Sequence, residues 1–238
     1  MIVYGINPVI EALRAGRATG VVVSSRADAR VAAAVRLAEE RGVAVRRVEG
    51  QQLDRLARGA LHQGILADVE EPAAMSVEDL VIRAKGAPLI VVLDGIEDPH
   101  NVGAILRTVD AAGADGVVRQ SRRAAPLGGA TARASAGAVS HVKIAEVVNI
   151  ARALEILKQA GVWTVGLAGD VAQRYDEMDF KLPTAVVVGA EGSGLRRLVR
   201  ERCDWLVSIP MRGHVDSLNV SVATGVVLFE AVRQRGSK

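Results

Sequence analysis

Cysteine occurs once in the 238 residues, at Cys203. One thiol forms no intramolecular disulfide and no multi-cysteine zinc site, and it suits a reducing compartment. Aromatic side chains are nearly as scarce, at 3% of the chain. Rows of stacked rings are therefore excluded as the main way of gripping a nucleic acid, and phosphate contacts through arginine are the expected means instead. No apolar run comes near the ~20 residues that a membrane helix needs. The opening stretch MIVYGINPVIEALRAG has no basic segment followed by an apolar one, so no signal peptide is expected. These absences predict a cytoplasmic protein without a membrane partner. Lysine is also rare: five of the 30 basic side chains are lysine and 25 are arginine. The net charge of +3 fits a nucleic-acid partner, although arginine, alanine and glycine also rise together in a GC-rich genome.

Apolar residues are plentiful. Half the chain is hydrophobic, enough for a sizeable core without metal or disulfide staples. The length fits one large domain, or a small domain followed by a medium one. Residues 1–69 alternate short helix and strand patterns. Asn7-Pro8 before Val9, Ile10 and Leu13 marks a helix start, with Pro8 at its first position. Val21 to Ser24, Val43 to Val48 and Ile65 to Val69 read as strands, with a helix from about Asp28 to Arg41 between the first two. Glu70-Glu71-Pro72 breaks the pattern and is the expected linker. Ser76 and Asp79 have capping-box spacing and open a helix to about Lys85.

Beyond that point continuous apolar runs recur at Pro88 to Leu93, Gly116 to Val118, Trp163 to Leu167, Ala185 to Gly189 and Trp205 to Pro210, with helical segments between them. Such strands predict a parallel sheet covered on both faces. Arg119 to Ala138, rich in Arg, Gly and Ala, is expected to be partly loop. The expected division is 1–69 as a small α/β domain, 70–85 as linker and connecting helix, and 86–238 as an α/β domain on a parallel sheet.

Three stretches carry candidate chemistry. The first, DGIEDPHNVGAILRT (94–108), follows a buried strand and enters a helix. Val102, Ile105, Leu106 and Val109 fall at i, i+3, i+4 and i+7, which makes one buried face. Asn101 stands at the helix start and Arg107 projects off the apolar face. They read either as a cap and a solvated charge, or as ligand-facing groups at the C-terminal edge of a parallel sheet. The second, VVVGAEGSGL (186–195), is a glycine-rich turn after a strand, where backbone can approach a ligand closely. Its spacing is not the dinucleotide fingerprint and no phosphate-binding lysine follows. Glu191 within it is not required by a turn. In the third, IPMRGHVDSLNVSVA (209–223), Ser217 and Asn219 precede a helix carrying Val220, Ala223, Val227, Leu228 and Ala231, and either could serve as its cap. His100 and His214 lie in these loops and read as a base or as simple polar contacts.

In this order and spacing the three stretches resemble the three motifs of the SpoU/TrmH family of SPOUT methyltransferases, across essentially the whole chain. Asn101 with Arg107 matches the first motif, GAEGSGL the second and SLNVSVATG the third. YGINPVIEAL and His62-Gln63-Gly64-Ile65 resemble the L30e-like substrate-binding domain of the ribosomal-RNA branch, and the resemblance is closest to enzymes acting on a 23S rRNA guanosine.

The resemblance implies a C-terminal α/β SPOUT domain with a deep trefoil knot, S-adenosylmethionine as cofactor, no metal, and a homodimer that methylates a ribose 2′-OH of 23S ribosomal RNA. It implies Asn101, Arg107, Glu191, Ser217 and Asn219 as catalytic or positioning residues, with Gly189, Ile209 and Leu218 around the cofactor. Two departures stand out: Asp216 occupies a position where a small polar residue is common, and the Arg122-Arg123 loop matches only approximately. A tRNA guanosine enzyme, an antibiotic-resistance rRNA enzyme and a non-catalytic RNA-binding protein on the same fold remain alternatives. A nucleotide- or NAD-binding enzyme is disfavoured by the missing G-x-G-x-x-G and Walker lysine.

Overall fold

The computed structural model describes residues 1–25, 29–70 and 75–236. Asp28, the expected start of the second helix, and Glu71 and Pro72 of the expected linker lie outside the described residues. The chain forms two compact units. One holds the described residues up to Glu70 together with Val102–Arg107 and Pro126–His141, and the other holds the remainder.

The first unit opens with β1 (Ile2–Tyr4), α1 (Ile6–Arg14), β2 (Ala18–Ser24), α2 (Ala29–Glu40), β3 (Val45–Val48), α3 (Gly50–Leu56) and β4 (Ile65–Val69). Its sheet runs β1-β4-β2-β3, with β2 parallel to β3 and antiparallel to β4. Val3, Val9, Leu13, Val21, Val23 and Ile65 are buried beneath the helices.

The start of α1 explains why YGINP and HQG occur together. Gly5 precedes the helix at φ 97, a conformation that favours glycine, and the Ile6 N–H donates to Gln63 Oε1 at 3.0 Å. His62 Nδ1 accepts from the Gly64 N–H at 3.0 Å while its Nε2 meets Asp54 at 2.8 Å. A side chain 57 positions away therefore caps the helix. Pro8, expected at the first helical position, stands third because the helix begins at Ile6. It costs nothing there, since first-turn N–H groups lack helical partners anyway.

The second part of the chain supplies α4 (Val77–Ile82), β5 (Leu89–Asp94), α5 (Pro99–Ala112), β6 (Gly116–Gln120), α6 (Gly129–Ala134), β7 (Ile144–Val147), α7 (Ile150–Gln159), β8 (Trp163–Leu167), β9 (Thr184–Gly189), α8 (Arg197–Arg202), β10 (Trp205–Val207) and α9 (Val220–Arg235). The expected Ser76–Asp79 capping box is present, both bonds at 3.0 Å. The six strands run in the order β10-β8-β9-β5-β6-β7, and every pair is parallel, as the unbroken apolar runs predicted. Leu80, Ile90, Val92, Val118, Leu154 and Leu157 form the core on one face of this sheet. The α5 stripe of Val102, Ile105, Leu106 and Val109 is at most 1% exposed. The chain builds outward from β5 through β6 and β7, then returns to the other side with β8 and β9. Such a reversal is where open α/β sheets place ligands.

Part of the Arg/Gly/Ala-rich stretch is helical. α6 packs on β1 and α1 within the first unit. Gly137 lies against α1 so closely that a Cβ would fall 2.5 Å from Glu11 Cβ. Arg17 Nη1 donates to the carbonyls of Val139 at 3.3 Å and Ser140 at 3.2 Å, pinning the same segment.

Candidate active site

A cavity of about 740 Å³ opens at the C-terminal ends of β8, β9 and β10, a size that suits a nucleoside-sized ligand. Leu167 to Gly169, Val188 to Glu191, Ile209, Met211 and Asp216 to Val220 line it. Much of that wall is backbone and small or aliphatic side chain. Glu191 and Asp216 bring the only charges, and no Lys, Arg or His is present among the described lining residues.

Gly189, the last residue of β9, has a requirement of space. A Cβ there would lie 2.1 Å from the Gly194 carbonyl carbon and 2.4 Å from the Leu195 nitrogen. The 190–194 segment folds back on itself, with the Gly194 N–H donating to the Ala190 carbonyl at 2.8 Å. Gly192 and Gly194 sit at φ 76 and 64. The turn therefore presents Glu191 outward at the cavity rim.

Asn219 joins the three candidate stretches. Its Nδ2 donates to Asn101 Oδ1 at 2.9 Å and to Glu191 Oε1 at 2.5 Å. Its Oδ1 accepts from the Ser221 N–H at 2.9 Å and the Ser221 hydroxyl at 2.5 Å. Both amide hydrogens and the amide oxygen are thus used, which fixes the way the amide faces. Asn219 is the cap that its position allowed, and it also bridges two other motifs. Asn101 is not a cap. Asp98 caps α5, accepting from the His100 N–H at 3.1 Å, and Pro99 follows as a favoured first helical residue. That leaves the buried Asn101 side chain inside the first turn, available to Asn219.

Ser217, Leu218, Gly189 and Ile209 all line the cavity, and the Ser217 hydroxyl donates to Asp216 Oδ1 at 3.1 Å. Arg107 is neither a lining residue nor a member of the Asn219 network. It lies six residues beyond Asn101 on α5, exposed, with no hydrogen bond or ion pair to the described residues. His100, expected in a loop, is the second residue of α5, and His214 stays in its loop; both are exposed. Cys203 stays outside the chemistry, because burial pushes its thiol up to about 12 and keeps it protonated and unreactive.

One pair at this end of the sheet was missed in the sequence. Asp94, closing β5, has a fully buried carboxylate that accepts from the Arg196 backbone N–H at 2.8 Å and from Arg196 Nε at 2.7 Å. An acidic residue ending the otherwise apolar strand LIVVLD was the available signal.

Comparison with known proteins decides the family. The model of the SpoU rRNA Methylase family matches residues 88–229, which include every residue of the cavity and of the Asn219 network. The chain belongs to this family. Residues 2–75 of this SpoU methylase also match the RNA 2′-O ribose methyltransferase substrate-binding family. A 23S rRNA (guanosine-2′-O-)-methyltransferase, RlmB, of Pseudomonas syringae pv. tomato is 46% identical over 220 residues, spanning 91% of this chain and 88% of the relative. Among solved structures, the SpoU methyltransferase AviRb from Streptomyces viridochromogenes aligns with a TM-score of 0.84 at 26% identity, over 99% of this chain and 89% of its own. The AdoMet-bound rRNA methyltransferase from Sinorhizobium meliloti aligns with a TM-score of 0.82 at 30% identity, over 99% and 88%.

Proposed function

We propose that this SpoU methylase transfers a methyl group from S-adenosylmethionine to the ribose 2′-OH of a guanosine in 23S ribosomal RNA. The observation that carries the proposal is the Asn101–Asn219–Glu191 hydrogen-bonded chain at the rim of a cavity whose described lining holds carboxylates and no cation. The nucleotide and the RNA come from the Pseudomonas relative, whose likeness runs through 91% of the chain.

The cavity fits the cofactor. S-adenosylmethionine carries a sulfonium and an ammonium against a single carboxylate, so it is a net cation. Glu191 and Asp216 attract such a ligand, the more strongly where water is excluded. Gly189, Ile209 and Leu218 would hold it through backbone and apolar contact. Bound there, S-adenosylmethionine supplies a methyl group activated toward an incoming oxygen.

The chain's own tasks are to hold the ribose hydroxyl in line and to ease loss of its proton. Asn219 fixes the positions of Glu191 and Asn101. The amide N–H groups of Asn101 have no partner among the described residues and are available to a ribose or phosphate oxygen. Ser217 orients the loop beside them. Arg107 is assigned the RNA side of the reaction. Arginine holds its proton too tightly to be a good base, so its task is to clamp a phosphate or stabilise the oxygen as charge develops.

The first unit would read the RNA as an L30e-like domain of residues 1–69, joined through 70–85 to a SPOUT domain of 86–238. Exposed Arg36, Arg46, Arg47, Arg55 and Arg58 support that role, since phosphate contacts supply much of RNA affinity. The loops around 189–195 and 208–219 are read as parts of a deep trefoil knot, in keeping with the backbone crowding at Gly189. A homodimer is supported by α9. From Val220 to Phe229 this helix carries no charged residue, and Val222 and Phe229, two turns apart, are about half exposed. An rRNA substrate and a lone thiol support a cytoplasmic location.

Two measurements bear on the proposal. Calorimetry should find S-adenosylmethionine bound one to one per chain, and methylation of a 23S rRNA fragment should proceed fully in EDTA. A loss restored by magnesium or zinc, with the RNA fold controlled, would count against it. Gly189→Ala forces the 190–194 turn to move, at about 1–3 kcal/mol of overpacking strain. Cofactor affinity should then fall roughly 10-fold or more; an unchanged affinity would remove Gly189 from the cofactor site.

A further inference from the structure

The turn that carries Glu191 is exposed from Glu191 to Gly194, so its position depends on what grips its two ends. At one end it leaves the central strand β9 at Gly189. At the other, Leu195 packs into the apolar core, and Arg196 is held by Asp94. The Asp94 carboxylate has no exposed surface and receives three donors from one residue: the Arg196 N–H at 2.8 Å, Nε at 2.7 Å and Nη2 at 2.5 Å. A buried carboxylate is costly unless paired and hydrogen-bonded. Both guanidinium nitrogens meet Oδ1 while the backbone N–H meets Oδ2, so each carboxylate oxygen has a donor and the contact is charge-assisted.

Such a pair could be no more than a core ion pair, but its place in the chain argues for more. Asp94 ends β5, and the loop that follows leads to Asn101. Arg196 stands five residues past Glu191. The clamp therefore ties together the origins of the two segments whose ends meet on Asn219, at 2.9 Å from Asn101 and 2.5 Å from Glu191. Without it, the Gly194–Ala190 bond, the packing of Leu195 and the Asn219 bridge would be left to hold an exposed glycine-rich turn in register.

We infer that Asp94 is a positioning residue for methyl transfer, acting through Arg196 to hold the 190–195 turn so that Glu191 meets Asn219. The inference rests on the methyltransferase reading of this site. Neither residue lines the cavity, so the effect is on alignment rather than on contact with the reacting groups.

The test uses the full chain as wild type, Arg196→Ala, Arg196→Lys and Asp94→Asn. The Arg196 side chain is 53% exposed, which makes Arg196→Ala the variant best expected to fold and leaves a gap open to small solutes. Its single-turnover rate should fall on the order of 10²-fold, the cost of misplacing a reacting group by about an ångström. RNA affinity should stay at the wild-type value. Free guanidinium, below denaturing concentrations, should restore part of the rate in Arg196→Ala and none in Asp94→Asn, where its binding partner is gone. Arg196→Lys, which lacks the fork, should recover little. Amide exchange at Gly194 should quicken in both Arg196→Ala and Asp94→Asn, a readout that does not need the reaction.

A folded Arg196→Ala that turns over at the wild-type rate overturns the inference, as does a rate loss that guanidinium leaves untouched or Gly194 exchange that does not change. A wild-type protein that binds no S-adenosylmethionine would instead overturn the methyltransferase reading, and the exchange measurement would still report on the clamp.

Discussion

Arg107→Ala lowers the single-turnover rate of methyl transfer by about 10²–10³-fold, the usual cost of removing one donor to a developing oxyanion, and leaves S-adenosylmethionine affinity unchanged. The expectation comes from the place of Arg107, six residues beyond Asn101 on α5 and, among the described residues, free of the partners that engage some other arginines. Arg196 is spent on Asp94, Arg174 on Asp176, and Arg17 and Arg235 on backbone carbonyls. Arg107 is exposed on the stable helix α5 and has no partner among the described residues. A planar fork of donors held on a rigid element is suited to an anionic partner brought by the substrate, and RNA supplies both phosphate and the 2′ oxygen. Because Arg107 does not line the cavity, cofactor titrations should be indifferent to its loss. Arg107→Lys should recover little if the contact is bidentate. Near-normal rates in both variants would remove Arg107 from the mechanism and turn attention to His100 and His214.

The sheet of the second unit was legible because its strands are buried on both faces and so read as unbroken apolar runs. Trp163–Leu167 was found to the residue, and β5, β6 and β9 to within one or two. The buried face of α5 was equally plain from its spacing. What escaped was set by distant contacts. β1 and β7 are three and four residues long, too short for a period to register. α6 is only six residues long, too short to hold by itself although Ala130, Ala132, Arg133 and Ala134 favour a helix, and it gains its place from β1 and α1. The start of α1 depends on Gln63, and no local pattern around Pro8 could report that. The candidate site divides in the same way. Asn101, Glu191 and Asn219 could be named from their motifs, but bonds spanning 118 and 28 positions are tertiary facts. Asn101 could be read as a cap of α5 or as a ligand-facing group, and the cap reading fails because Asp98 immediately before Pro99 takes that place.

Asn219 offers the second large effect and a way to separate its two duties. Asn219→Ala removes the cap of α9 and both links to Asn101 and Glu191 at once. Stability should fall by about 1 kcal/mol for the cap, and the single-turnover rate by about 10²-fold, as Glu191 and Asn101 lose their common anchor. That variant alone cannot say which loss matters. Asn219→Asp can. A carboxylate still accepts from the Ser221 and Val222 N–H groups and suits a helix N-terminus, so the thermal midpoint should stay at or near the wild-type value. The same carboxylate has no hydrogen to donate to Asn101 Oδ1 and places a negative charge against Glu191, 2.5 Å from the present amide nitrogen. The rate should therefore fall as far as in Asn219→Ala despite an intact cap. Adding Glu191→Gln to Asn219→Asp supplies a donor on the other side of the contact and removes the repulsion. The double variant should be faster than Asn219→Asp alone, a non-additivity expected of residues in one hydrogen-bonded network. An Asn219→Asp protein with wild-type turnover would reduce Asn219 to a helix cap, and the Asn101–Asn219–Glu191 chain could no longer carry the proposed function.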